Sequence, residues 1–267
     1  MEASGVWFAA MAALSLGALV AGHRIGPARI EVVRPSVLLA LLAVTVWAWL
    51  IRRPEVAVQV LPVSVLSNIE GIGALPAFMF IAGVAWSRGR RPRQRRVAVL
   101  AAGVGGVFFI AGGMWMILPT PQTGFATTLG EPVLQSQDYS CVPAASATAL
   151  NMIGVPTSEA EMAHLSRTRP GAGSTMLRAM DGLRRRVADE EGRVDIHLVD
   201  AAYDELARLP MPALTALRYH PTIHHMVVIT HLEGPVIHLH DPEVGRMWLG
   251  RDDFERYYGG RVLIFER

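Results

Sequence analysis

Residues 1–118 are long apolar runs separated by short polar stretches, whereas residues 119–267 break into short, mixed, periodic segments. The apolar runs are approximately 6–22 (VWFAAMAALSLGALVAG), 36–51 (SVLLALLAVTVWAWLI), 69–86 (IEGIGALPAFMFIAGVAW) and 97–118 (VAVLAAGVGGVFFIAGGMWMIL). Crossing the hydrocarbon core takes about 20 apolar residues, within a range of roughly 17–25. Four such runs with almost no internal charge predict an all-α membrane region of about four transmembrane helices. The first run has no positive segment before it, since MEAS carries only Glu2, and "LVAGHR" is a poor cleavage sequence. It reads as a retained span rather than a signal peptide. Glu70, at the start of the third run, reads as a solvated end residue near the outer interface rather than a functional carboxylate inside the membrane.

The pattern changes after a Pro/Thr/Gly linker over residues 119–129, and residues 130–267 form the second domain. Residues 142–153 (VPAASATALNMI) predict a helix with proline in its first turn, where the missing N–H costs nothing. Gly154 ends it. "TSEAEMAHLSRT" predicts a second helix with Thr157 or Ser158 as N-cap and acids in its first turn. "STMLRAMDGLRRR", from Ser174, and "AYDELARL" predict two more. Strand signals follow in "VDIHLV", "ALTALRY", "HHMVVIT", "PVIHLHD" and "RVLIFE", with Glu233-Gly234-Pro235 as a hairpin turn. Helices first and a largely antiparallel sheet later predict an α+β domain, long enough for one core.

Charge sharpens this division. The first 118 residues carry eleven arginines against Glu2, Glu31, Glu55 and Glu70, a net of +7; the remainder carries fourteen arginines and nineteen acids, a net of −5. The overall +2 therefore averages two unlike halves, and the basic excess lies in the apolar half, which argues against nucleic acid as a partner. Arg24, Arg29 and Arg34 lie between the first two runs, and Arg88, Arg90, Arg91, Arg93, Arg95 and Arg96 between the last two. Only Arg52 and Arg53 lie between the second and third. Positive residues stay cytoplasmic, so the predicted chain is integral to a bacterial inner or plasma membrane with its amino terminus and everything after Leu118 outside the cytoplasm.

Candidate chemistry centres on Cys141, the only cysteine, which cannot form an intramolecular disulfide. A cysteine at a helix start meets free N–H groups and the positive end of the helix dipole, which favour the nucleophilic thiolate. A thiol nucleophile needs a base, and the base an orienting group. His224 and His225 open an apolar strand, and Asp241 ends the next one, sixteen residues past His225. Gln135, on the loop leading to Cys141, can donate an amide N–H to an oxyanion.

Gln135-(five residues)-Cys141, then a helix, then His225-Met-Val-Val-Ile, then Asp241-Pro242, resembles the bacteriocin-processing cysteine peptidases, which cut leader peptides after a double glycine. The resemblance covers roughly residues 130–267. It implies a papain-like fold and selects Gln135 over Gln137 and His225 over His224. It also implies Cys141 as nucleophile, His225 as base and then acid, Asp241 as its orienter, Gln135 as oxyanion donor, and no cofactor. The family usually has glycine after the cysteine, where this chain has Val142. No Walker-type loop is present, so a fused transporter is absent from the sequence and a separate transporter becomes a candidate partner beside the peptide or protein substrate and membrane lipid.

Two other readings use the same residues. One is a membrane receptor whose papain-like domain binds peptides without cleaving them, favoured by Val142. The other is a transglutaminase-like or amide-hydrolysing enzyme with the same triad. Six histidines crowd into residues 220–240, and His238 and His240 share a strand face, as zinc ligands can. No tight spacing with carboxylates accompanies them, so no metal site is assigned.

Overall fold

Most of the apolar runs become long helices, and the break comes where two glycines and a proline cluster in the third run. The computed structural model describes residues 2–113, 123–124, 131–188, 194–220 and 223–266, and the chain divides into two units, Met1–Leu118 and Pro119–Arg267. The first unit contains α1 (Glu2–Ile25), α2 (Ile30–Arg52), α3 (Pro54–Val60), α4 (Val63–Ile69), α5 (Leu75–Arg88) and α6 (Pro92–Gly113). Three of these, over Gly5–Ile25, Ile30–Arg52 and Pro92–Gly113, are long and apolar enough to cross a membrane. Their large apolar side chains face outward, among them Leu14, Leu16, Leu38, Leu39, Leu42, Leu100 and Phe108. A water-soluble bundle would turn that surface inward.

The third expected span differs from the sequence reading. Residues 69–86 do not form one helix. Instead α4 ends at Ile69, a turn containing Glu70, Gly71 and Gly73 follows, and α5 begins at Leu75 with Pro76 in its first turn. Gly71 and Gly73 weaken the helix, but α6 runs unbroken through Gly103, Gly105 and Gly106. The added element here is Pro76, which has no N–H to continue the ladder and favours a new start. The 14 residues of α5 extend about 21 Å, short of the roughly 30 Å of a hydrocarbon core. The fourth expected span continues to residue 118, but residues 114–118 lie outside the described residues, as does the expected linker apart from Thr123 and Gly124.

Helices α1 and α5 pack closely. A Cβ at Gly22 would overlap the Phe80 carbonyl oxygen, and one at Gly83 the Leu19 carbonyl oxygen, so the absence of side chains lets the backbones meet. The two helices run parallel: Met11 packs with Ile72, and His23 meets Trp86 at a ring separation of 5.5 Å. Arg88 at the end of α5 donates to the Gly26 carbonyl oxygen at 3.0 Å. The arginines following α1 and those following α5 therefore gather at one end of this unit.

The second unit is α+β. Helices α7 (Cys141–Met152), α8 (Glu159–Leu165) and α9 (Met176–Val187) precede a six-stranded antiparallel sheet in the order β1-β6-β2-β3-β4-β5. The strands are β1 (Asp195–Asp200), β2 (Ala213–His220), β3 (Ile223–Glu233), β4 (Val236–Asp241), β5 (Gly245–Gly250) and β6 (Tyr258–Glu266), with α10 (Tyr203–Leu206) and α11 (Arg251–Tyr257) in the connections. Ser158 and Thr175 cap α8 and α9 by accepting from the Glu161 and Arg178 N–H groups. Helix α7 packs on β3. Leu217, Val227, Ile229, Ile237, Leu239 and Val262 join Tyr203 of α10 and Phe254 of α11 in a buried cluster. The five expected strands are present; β5, bounded by glycine at both ends, and the short α11 were not foreseen.

The helix crossing yields a direct test. Gly83→Val should lower the melting temperature of the detergent-solubilised chain and reduce folded yield. Gly17→Val, whose Cβ would meet nothing within 4 Å, should leave both unchanged.

Candidate active site

The β3–β4 register brings the charged residues together. Val228 stands opposite His240 and Ile229 opposite Leu239, so continuing by one residue sets Asp241 opposite Val227. Strand side chains alternate between faces, so His225 shares the face of Val227 and Ile229 and lies diagonal to Asp241, within reach of long side chains. His225 Nε2 lies 2.8 Å from Asp241 Oδ1, and both residues are buried. His224 points the other way and is exposed.

Cys141 is the first residue of α7 and half-buried. The turn before it is fixed by Ser140, whose hydroxyl donates to the Gln137 carbonyl oxygen at 2.9 Å and whose N–H does so at 3.0 Å. Burial of His225 favours its neutral ring. Hydrogen bonding to Asp241 and to Cys141, with the negative charge on each, outweighs this and pushes the imidazole pKa up from 6.5 to about 10. With Nε2 committed to Asp241, Nδ1 is the nitrogen left for the thiol. Burial alone would raise Asp241. The bond from His225, the Glu243 N–H at 2.7 Å and the His225 charge instead hold its carboxyl below the usual range.

Gln135 joins the same neighbourhood through its backbone, its N–H donating to the Pro242 carbonyl oxygen at 2.7 Å. Its side-chain Oε1 is buried with no hydrogen-bond partner among the described residues. Half a turn of the terminal amide presents either the oxygen or the NH₂ at that spot. Val142 is 5% exposed and belongs to the core rather than to an open surface.

The structure adds residues that sequence spacing could not reveal. Glu159, 1% exposed at the start of α8, accepts the Ser136 N–H at 3.0 Å and the Gly124 N–H at 2.9 Å. It thereby anchors the backbone next to Gln135. Tyr219 sits where the β2–β3 register shifts, its ring 6.0 Å from His225 and 4.9 Å from Tyr257. Burial, followed by the charge of Asp241, raises its phenol pKa. A bulge of this kind re-aims side chains, and no linear motif marks it.

Comparison with known proteins covers the segment in which these residues lie. Residues 131–267 match the sequence profile of the peptidase C39 family. An uncharacterized protein of Methanothermobacter marburgensis is 36% identical over 141 residues, covering 52% of this chain and 92% of its own length. One of Methanothermobacter thermautotrophicus is 35% identical over 149 residues, covering 53% and 94%. Among solved structures, the peptidase domain of Streptococcus ComA, a bi-functional ABC transporter involved in quorum sensing, aligns at 18% identity and a TM-score of 0.45, over 51% of this chain and 96% of that one. A double glycine motif protease from an AMS/PCAT transporter, in complex with the leader peptide, aligns at 19% identity and 0.42, over 54% and 97%.

Two outcomes are expected. Glu159→Ala removes the acceptor of a backbone N–H beside Gln135 and should cost about 1–3 kcal/mol of stability; Glu159→Gln, which keeps one carbonyl acceptor, should cost less. Thermal or denaturant melts measure both. Because the folded-state pKa of His225 lies above its ordinary value, its contribution to stability is complete below about pH 6.5 and is lost as pH rises through about 10. Asp241→Asn should flatten that dependence.

Proposed function

Since the chain belongs to the peptidase C39 family, we propose that it is a membrane-anchored cysteine peptidase hydrolysing peptide bonds. The single observation that carries this reading is the bonded pair His225–Asp241 beside Cys141. In the proposed reaction the Cys141 sulfur attacks the scissile carbonyl carbon while His225 holds the thiol proton. Negative charge develops on the carbonyl oxygen, and the Gln135 amide NH₂ stabilises it by hydrogen bonding. His225 then gives the proton to the leaving amine, the C–N bond breaks and an acyl-thioester remains on Cys141. Water, deprotonated by His225, attacks the thioester, releases the acid product and returns the proton to the thiol. Asp241 fixes the ring orientation and stabilises the imidazolium.

Substrate class is the finer part of the proposal. One structural relative is described in complex with a leader peptide and as a double glycine motif protease, which makes a leader or other secreted peptide with small residues at the cut the substrate to test first. A separate transporter is a proposed partner, and the apolar helices a lipid anchor. Residues 119–267 are proposed to lie outside the cytoplasm, because nine arginines cluster around the α1–α2 and α5–α6 connections against only Arg52 and Arg53 at the end of α2.

Mass spectrometry of secreted peptides from cells expressing the parent chain and its Cys141→Ala form tests the activity. A processed peptide present with the parent and absent with the variant supports it; identical peptide sets refute it. With such a peptide as substrate, His225→Ala should lower turnover by several orders of magnitude. His224→Ala should cost no more than about a kcal/mol of stability. Activity should fall as pH rises through the His225 pKa of about 10, and Asp241→Asn should move that alkaline limb to lower pH while reducing the rate. For orientation, a reporter active only in the cytoplasm should be silent after Arg267 and active within residues 88–96.

A further inference from the structure

At the turn end of the β3–β4 hairpin, a second cluster of side chains converges outside the candidate active site. A register shift between Ile229 and His231 inserts one extra residue into β3. Without it Thr230 would face His238; with it His231 stands directly opposite His238, and the two imidazoles stack with centroids 4.0 Å apart and planes 10° from parallel. Glu233 lies two residues further along β3, on the same face by alternation. Its Oε2 is 3.6 Å from His238 Nε2. One ligating atom from each of the three residues lies within 4.8 Å of the other two. We propose that His231, Glu233 and His238 form a binding site for a divalent transition-metal ion, zinc above all.

Distances, tautomer and ligand chemistry agree on this. Ligands bound about 2.0–2.1 Å from a tetrahedral zinc stand roughly 3.3 Å from one another. The 3.6 Å between Glu233 and His238 is too long for a good hydrogen bond but close to that edge length. The two ring planes are nearly parallel, so a shared ion requires one imidazole to tilt until the nitrogen lone pairs converge. Exposed His231, and Glu233 with its side chain 82% exposed, have room for that adjustment. Thr230 supplies the supporting contact. Its hydroxyl donates to the His238 carbonyl oxygen at 3.1 Å, so at 3.2 Å from His231 Nδ1 the same oxygen is left to accept from that ring. A proton held on Nδ1 leaves the lone pair on Nε2, free for a metal, as outer contacts commonly arrange for metal-bound histidine. Two neutral imidazoles and one carboxylate suit zinc, with a fourth position for water. Calcium and magnesium prefer oxygen ligands.

An ion here would clip β3 to β4. His225 lies six residues before His231, roughly 20 Å along an extended strand, so the site is separate from the proposed catalytic residues and independent of the peptidase reading. It would nonetheless brace the two strands that carry His225 and Asp241.

Calorimetric titration of the full-length chain in detergent with zinc chloride tests the proposal, in a Cys141→Ser background so that the thiol is no ligand. One zinc per chain is expected. His231→Asn and His238→Asn should each weaken binding at least about tenfold, since even outer-contact losses reach that size, and Glu233→Gln should weaken it measurably. His224→Asn should leave it unchanged. Zinc should raise the melting temperature of the parent background and not that of the double His231→Asn, His238→Asn variant. Glu233→Gln alters only an exposed side chain, so its result stands even if a histidine variant folds poorly. Absence of saturable zinc binding, or equal affinity in parent, His231→Asn, His238→Asn and Glu233→Gln chains, would overturn the site.

Discussion

The His225–Asp241 hydrogen bond is the interaction on which the second unit's candidate chemistry depends. Both groups are buried, at 9% and 5% exposure, and burial opposes charge on each of them. Their pairing at 2.8 Å reverses that preference. A buried histidine that stays protonated near neutral pH requires a partner of this kind, because desolvation disfavours an isolated charge. The sheet provides it through register alone: two antiparallel strands, a tight turn at Gly234 with φ of 57°, and a separation of sixteen residues.

Around this pair the chain is tied by one backbone contact and by one further buried carboxylate. Pro242, the residue after the orienting acid, accepts the Gln135 N–H, and Glu159 accepts the N–H of the next residue, Ser136. The segment preceding the nucleophile is therefore held from the hairpin on one side and from α8 on the other. Local helix chemistry makes the second tie: Ser158 caps α8, and the acid that follows it, instead of facing solvent like an ordinary first-turn acid, turns into the core. Preorganisation of this kind places a donor before the charge it must meet has formed.

Period and capping made most of the second unit legible from its residues. Helix α7 begins at Cys141, one residue before the expected 142, and the five apolar strand segments all pair. The four site residues the sequence singled out occupy one neighbourhood in the structure, and strand alternation separates exposed His224 from buried His225 as expected of adjacent strand residues. What escaped depended on three-dimensional register. The bulges beside Tyr219 and at Thr230 shift pairing by one residue without any marker in composition, so the sequence grouped His238 with His240 whereas the fold sets it opposite His231. Strand β5, bounded by glycine, showed no period because apolar Trp248 takes an exposed position between Met247 and Leu249, and the anchoring role of Glu159 needs a contact across 23 residues. In the first unit, hydropathy located the apolar runs but counted Gly71, Gly73 and Pro76 as part of one, although together they end one helix and begin another.

The most direct test of this account is the titration of the His225 ring by NMR in histidine-labelled full-length protein, with and without Asp241→Asn. A pKa near 10 is expected in the parent, with a large downward shift in the variant, where burial is no longer offset by the carboxylate. A parent value near the ordinary 6.5 that Asp241→Asn leaves unchanged would contradict it.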